Sequence, residues 1–330
     1  MTVKPSWQLG ILDLIVRRLV RRESWGDERS LVKRARRLFG SPPLWASVAS
    51  IGVRVESVNN EGVCGEWIIP KNPSPGVIFY IHGGGYVACS PRTHRPVTAT
   101  LARMTRCRVF SVAYRRAPES RFPAALDDVT SAYRWLLTAP GDSEPVAIGG
   151  DSAGGGLALA LLVAIRDGGL TAPRCAVLAS PWTDLSGSGE SVTGNAGRCA
   201  MFAPANIQEF AGTYLGGADA TDPRASPLFA DLSRLPPMLI QVGDTELLLD
   251  DSKRINEKVL ASAGKSTLEE WPRVFHGWQM LAGIAPEADA ALRRFAEFVA
   301  GHMQPAAGET SVAGASESNS RNMQFAQEIS

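Results

Sequence analysis

The chain has 330 residues, 45% of them hydrophobic, and a formal net charge of +1 at pH 7. That is enough apolar material for one large core or two moderate ones, and the near-neutral balance argues against a polyanionic partner such as nucleic acid. The five cysteines are odd in number and scattered, with neither metal-ligand spacing nor a disulfide framework, so they read as reduced, mostly buried thiols in a reducing, cytoplasmic compartment.

Residues 1–48 read as N-terminal helices. Trp7, Ile11, Leu14, Ile15 and Leu19 recur at helical spacing, with Arg17, Arg18, Arg21 and Arg22 beside them. The apolar patch Leu9–Val16 is interrupted by Asp13 and followed by no small-residue cleavage site. Neither a signal peptide nor stable membrane insertion is therefore expected, and no apolar run is long enough to span a bilayer. A second helical piece, Ser30–Phe39, stops at Gly40 and Pro42-Pro43. The Arg and Lys excess between Lys4 and Arg37 fits a solvated helical face, with contact to an anionic lipid surface as the alternative.

Ile51–Val58 and Val63–Ile69 alternate on either side of Asn59-Asn60-Glu61-Gly62, which predicts an antiparallel hairpin. Val77–Ile81 and Arg108–Tyr114 are apolar runs expected of buried strands, and helices are predicted over Arg95–Met104 and Phe122–Thr138. A short apolar run, Val146–Ile148, then meets Gly149-Gly150-Asp151-Ser152-Ala153-Gly154 and the helical run Leu157–Ile165. Cys175–Ala179, Pro237–Val242 and Ser266–Trp271 complete the strands; Glu246–Ala263 and Pro286–His302 complete the helices. Residues 185–232 differ in character. They are loop-rich, with one helix-like piece at Ala205–Tyr214, and read as an insertion over the active face. The segment 303–330 has little to bury and is expected to be disordered. Strands alternating with helices predict an α/β fold with a mostly parallel sheet, helices on both faces and ligands at the carboxyl ends of the strands.

Four features fall on that edge. Gly-x-Ser-x-Gly around Ser152 has the small neighbours that a nucleophile on a sharp strand-to-helix turn requires. The turn also leaves the Ala153 N–H at a helix N-terminus, where a negative oxygen is stabilised. His82-Gly83-Gly84-Gly85 follows another strand. Three glycines suit a backbone approached closely by a developing oxyanion, with the N–H groups of Gly83 and Gly84, and Gly85 as a further candidate, as donors. A serine needs a base. Of the four histidines, His82 braces the glycine loop, His94 reads as a surface residue and His302 as a helix cap. That leaves His276, whose place after the last strand gives the chain order serine, acid, histidine. Asp244 and Glu246 both follow Pro237–Val242, and either could orient the imidazole.

These motifs resemble the hormone-sensitive-lipase-like α/β-hydrolases, the bacterial family IV esterases. Tyr114-Arg-Arg-Ala-Pro-Glu119, Phe122-Pro-Ala-Ala-Leu-Asp-Asp128, Ser180-Pro-Trp182 and Asp222-Pro-x-x-Ser-Pro227 fit the same pattern, which covers roughly residues 50–302. The resemblance implies an eight-stranded α/β-hydrolase core over 49–302 and a helical cap. It also implies ester hydrolysis with no cofactor or metal, and a small, short-acyl ester as substrate; a homodimer stays open. One departure matters. Where such esterases usually read Asp-Pro-Leu-x-Asp, this chain has Asp244-Thr-Glu-Leu-Leu-Leu-Asp250, and gapless alignment puts Glu246 at the acid position. Trp7, Trp25, Trp45, Phe202, Phe210 and Tyr214 are the apolar candidates for a lid. An amidase, lactonase or thioesterase would use the same three residues. A non-catalytic receptor on this fold is expected to lack the histidine, which is present here.

Overall fold

The computed structural model describes residues 5–138 and 144–303; the expected tail beyond that lies outside the described residues. Eight strands form one sheet in the order β1-β2-β4-β3-β5-β6-β7-β8. β1 (Val53–Asn60) and β2 (Val63–Pro70) form the antiparallel hairpin, and β2 also runs antiparallel to β4 (Arg108–Val112). β3 (Val77–Ile81), β4, β5 (Val146–Asp151), β6 (Cys175–Ala179), β7 (Met238–Gly243) and β8 (Ser266–Trp271) are mutually parallel. The hairpin turn is tighter than the Asn-Asn-Glu-Gly run suggests. Asn59 and Asn60 stay paired in β1, and Glu61 and Gly62, at φ 51° and 82°, make a two-residue turn whose twist suits the strands.

Side-chain alternation assigns the two faces. Phe79 and Ile81 of β3 join Ile148 and Leu178 in the core that holds α5 (Ala124–Thr138) and α6 (Ala153–Asp167). Ile78 and Tyr80 point the other way, toward α4 (Arg95–Thr105) and α10 (Pro286–Met303). A central strand covered on both sides must be apolar at every position, as β3 is. The crossover from β3 runs to β4 on one side and the crossover from β5 runs to β6 on the other. That reversal opens a crevice at the carboxyl ends of β3 and β5.

Two further pieces close over that crevice. α1 (Trp7–Leu19), α2 (Glu28–Phe39) and α3 (Ala46–Ala49) come from the N-terminal segment; α7 (Ser191–Gly194) and α8 (Pro204–Leu215) come from the 185–232 insertion. Buried Trp25 joins them, meeting Phe39 at 6.1 Å and Phe210 edge-on at 5.3 Å between ring centroids. Several arginines of the basic N-terminus are ties rather than solvated charges. Arg17 donates to the Arg198 carbonyl, Arg21 to that of Cys199 (3.1 Å) and Arg36 to that of Val87 (3.0 Å). The last α-helix before β8, α9 (Leu249–Ala261), starts three residues later than the sequence suggests, because the Glu246 carboxylate folds back onto the Gly243 N–H. Four cysteines are buried and Cys64 is exposed. Among the described residues no helix is long and apolar enough to cross a membrane.

Candidate active site

Ser152 occupies the single residue between β5 and α6, at φ 54° and ψ −126°. A non-glycine residue pays about 1–3 kcal/mol for such a conformation, so the surroundings must enforce it. They do so by close approach. A Cβ on Gly150 would lie 2.4 Å from the Gly154 carbonyl oxygen, and one on Gly154 would lie 2.2 Å from that of Ile81. The Ser152 N–H donates to Ala179 (2.8 Å), and its carbonyl accepts from Gly156 (3.0 Å) and Trp182 (2.9 Å). The hydroxyl is left at the crevice.

His276 reaches it from the loop after β8. Its Nε2 lies 2.9 Å from Ser152 Oγ and its Nδ1 2.5 Å from Glu246 Oε2. Glu246 is 1% exposed, and its other oxygen accepts from Ser180 Oγ (2.7 Å) and the Gly243 N–H (2.7 Å). These bonds fix the carboxylate so that one oxygen is left for the imidazole. Asp244 turns to the rim instead, accepting from the Arg273 N–H (2.7 Å) with Arg198 at 3.6 Å. The longer side chain two residues on covers the distance that Asp244 does not. Phe202 sits edge-on to the imidazole, 5.4 Å between ring centroids, and shields it.

In the glycine loop, His82 Nδ1 bonds the Gly83 carbonyl at 2.8 Å and its ring stacks on Tyr114 at 4.3 Å. Burial, then the neighbouring His94, push the His82 pKa down to about 3, so the ring is neutral near pH 7. The Gly83 N–H, expected among the oxyanion donors, is taken: it donates to Asp151 Oδ1 at 3.1 Å. Gly84 and Gly85 follow at φ 112° and 60° and line the cavity beside Ser152. Among the described residues, the N–H groups of Gly84, Gly85 and Ala153 have no hydrogen-bond acceptor.

Sequence reasoning missed the anchor of this loop. The Asp151 carboxylate also accepts from Tyr80 OH (2.8 Å) and meets His94 Nε2 at 3.1 Å. Burial would raise the Asp151 pKa, but the His94 charge and hydrogen bond, with Tyr80 and His82, outweigh it and hold the carboxyl below its usual range. His94, read as a surface residue, is instead 3% exposed. Its partner is 57 residues away, so local sequence carried no sign of it. Asp151 could have been found, since the residue before a nucleophile on a strained turn is fixed in direction by that turn.

A cavity of about 470 Å³ opens above Ser152 and His276. Its walls are mainly apolar. Ile15, Phe39 and Trp45 come from the N-terminal segment, and Phe202, Ile207 and Phe210 from the insertion. Of the aromatic residues expected at a lid, Trp45, Phe202 and Phe210 line it, and the other three do not. Trp7 is 73% exposed on the outside, Trp25 packs behind Phe39 and Phe210, and Tyr214 stacks on Tyr86 at 3.7 Å.

The α/β-hydrolase fold family matches residues 78–280. The chain belongs to that family. An acetyl-hydrolase of Streptomyces hygroscopicus is 40% identical over 261 residues, 79% of this chain and 86% of its own length. An esterase of Acinetobacter venetianus is 37% identical over 247 residues, 74% of this chain and 82% of its own. The crystal structure of an esterase from the bacterial hormone-sensitive lipase family superposes with a TM-score of 0.82 at 38% identity, covering 92% of this chain and all of that one (100%). EstE5, in a crystal soaked with p-nitrophenyl butyrate, gives 0.81 at 37%, covering 90% of this chain and 99% of its own. The α/β-hydrolase described here is thus a carboxylic ester hydrolase of the hormone-sensitive-lipase group.

Proposed function

We propose that this hydrolase cleaves small, short-acyl carboxylic esters through a Ser152–His276–Glu246 triad and an acyl-enzyme intermediate. The observation that carries the reading is the unbroken chain from Ser152 Oγ through both imidazole nitrogens to a buried carboxylate. In this account Ser152 Oγ attacks the ester carbonyl while its proton passes to His276 Nε2. Glu246 holds the ring by its Nδ1–H and stabilises the imidazolium as it forms. The tetrahedral oxyanion is taken by the free N–H groups of Gly84, Gly85 and Ala153, at the N-terminus of α6. Each such donor is worth about 10²–10³ in rate. His276 then gives its proton to the departing alkoxide, and a water deprotonated by His276 releases the acid.

Residues 1–48 and 185–232 act in this reading as the cap that sets specificity. The apolar walls favour acyl chains, and about 470 Å³ shared between acyl and alcohol parts favours small ones. The acetyl-hydrolase relative and the butyrate ester soaked into EstE5 agree with that size. An acyl-length series of p-nitrophenyl esters, acetate to palmitate, tests it. We expect kcat/KM to peak at short chains and fall steeply beyond them. A maximum at long chains would overturn the short-acyl assignment.

A further inference from the structure

The outer side of α1 is apolar where a soluble surface would be polar. Trp7, Ile11, Leu14 and Leu19 share one helical face and are 73%, 51%, 55% and 62% exposed. Leu9, on the opposite face, is buried in the core. The exposed face runs into the substrate cavity, because Ile15 of α1 and Leu38 of α2 are both exposed and both line it. Positive charge lies on and beside this face. Arg18 sits within the apolar stripe, and Lys33 and Arg37 follow one another along the exposed side of α2. None of the three has an ion-pair partner among the described residues. Contiguous exposed apolar surface of this kind marks an interaction site, and a helix that pairs it with cations is suited to the boundary between headgroups and acyl chains.

We propose that α1, with the cations of α2, docks the enzyme on an anionic lipid surface, so that the cavity opens directly onto that surface. Charge selects this occupant over a second copy of the chain. Two copies meeting through this face would set one positive surface, with Arg18, Lys33 and Arg37, against another of the same sign, and like charges repel. Anionic headgroups neutralise them while the stripe leaves water. The docking is peripheral and needs no spanning segment. It goes beyond the hydrolytic reading, since binding is measured without turnover.

The test is flotation of the full chain with vesicles of phosphatidylcholine alone or mixed with phosphatidylglycerol. The protein should float with the anionic vesicles and not with the neutral ones, and added salt should release much of it. The triple variant Arg18→Gln, Lys33→Gln, Arg37→Gln should lower partitioning about a hundredfold, near the worth of three cations at such a surface. Ile11→Ser, Leu14→Ser, Leu19→Ser should lower it as well. Both variants should hydrolyse a water-soluble activated ester at the wild-type rate, which reports that they are folded. Failure of the wild type to float with anionic vesicles, or equal flotation with neutral ones, would overturn the proposal. So would a vesicle-free dimer that the serine variant dissociates, because the face would then belong to a second copy. A wild type that floats yet hydrolyses no ester would count against the proposed function and leave the docking intact.

Discussion

Glu246 and Asp244 sit two residues apart after the same strand, yet only Glu246 meets the imidazole. In the proposed triad, Glu246→Gln keeps the shape and removes the charge assigned to steadying the imidazolium, so kcat should fall by about 10³–10⁴. Asp244→Asn should leave kcat close to wild type. Stopped-flow or steady-state assays on one activated ester check both, and equal losses would contradict the assignment. Asp151 makes a second case at this scale. It touches no reacting atom, but its carboxylate takes the Gly83 N–H and so holds the glycine loop at the height of Ser152. Asp151→Ala removes that acceptor and should lower kcat by up to about 10² while KM changes little, since the lost interaction serves the transition state. A raised KM with kcat intact would instead assign Asp151 to substrate binding. That Ser152 and His276 meet was readable, because motif and chain order constrain both. The choice of acid was not settled by the residues themselves, because both carboxylates follow the same strand, and the Asp151–His94 contact was invisible because nothing local announces it.

The turn between β5 and α6 is the element on which the site depends, and its glycines are there for lack of room. Gly154→Ala would press a methyl group against the backbone oxygens of Ile81 and His82, at 2.2 and 2.4 Å. Ordinary overpacking costs about 1–3 kcal/mol, and backbone cannot move aside as a side chain can. The variant should lose activity and melt well below wild type. Gly10 in α1 is the contrast: a Cβ there meets nothing within 4 Å. Gly10→Ala should stabilise α1 by about 0.5–1 kcal/mol, seen as slower amide exchange across Trp7–Leu19. Strand positions were legible from their apolar runs. Element ends were less so: α9 starts late because its first turn is spent on presenting Glu246.

Across the whole molecule, the sheet and its helical layers follow from alternation alone, and the crevice follows from strand order. What alternation cannot show is how the cap is tied down, because those ties are long-range and polar. One of them predicts a pH response. Asp251 of α9 is buried and accepts from the Thr183 (2.8 Å) and Asp184 (2.9 Å) N–H groups, and Arg254 is shared between the two carboxylates. Burial pushes the Asp251 pKa from 3.8 up to about 7, with the Thr183 N–H opposing it and Asp184 adding to it. The folded state therefore keeps a proton that the unfolded chain gives up earlier. This group's contribution is fully present below its unfolded pKa and is lost as pH rises toward about 7. Relative to wild type, Asp251→Asn should gain stability steadily over that window in thermal melts; a constant difference would contradict the shift.

The central claim is that Ser152 becomes covalently acylated with His276 as its base, and a phosphonate that mimics the tetrahedral intermediate tests it most directly. Incubation with a fluorophosphonate, followed by peptide mass mapping, should place a single adduct on Ser152, absent in Ser152→Ala and formed far more slowly in His276→Ala. An adduct on another residue, or a wild type that hydrolyses esters while resisting the probe, would contradict the account.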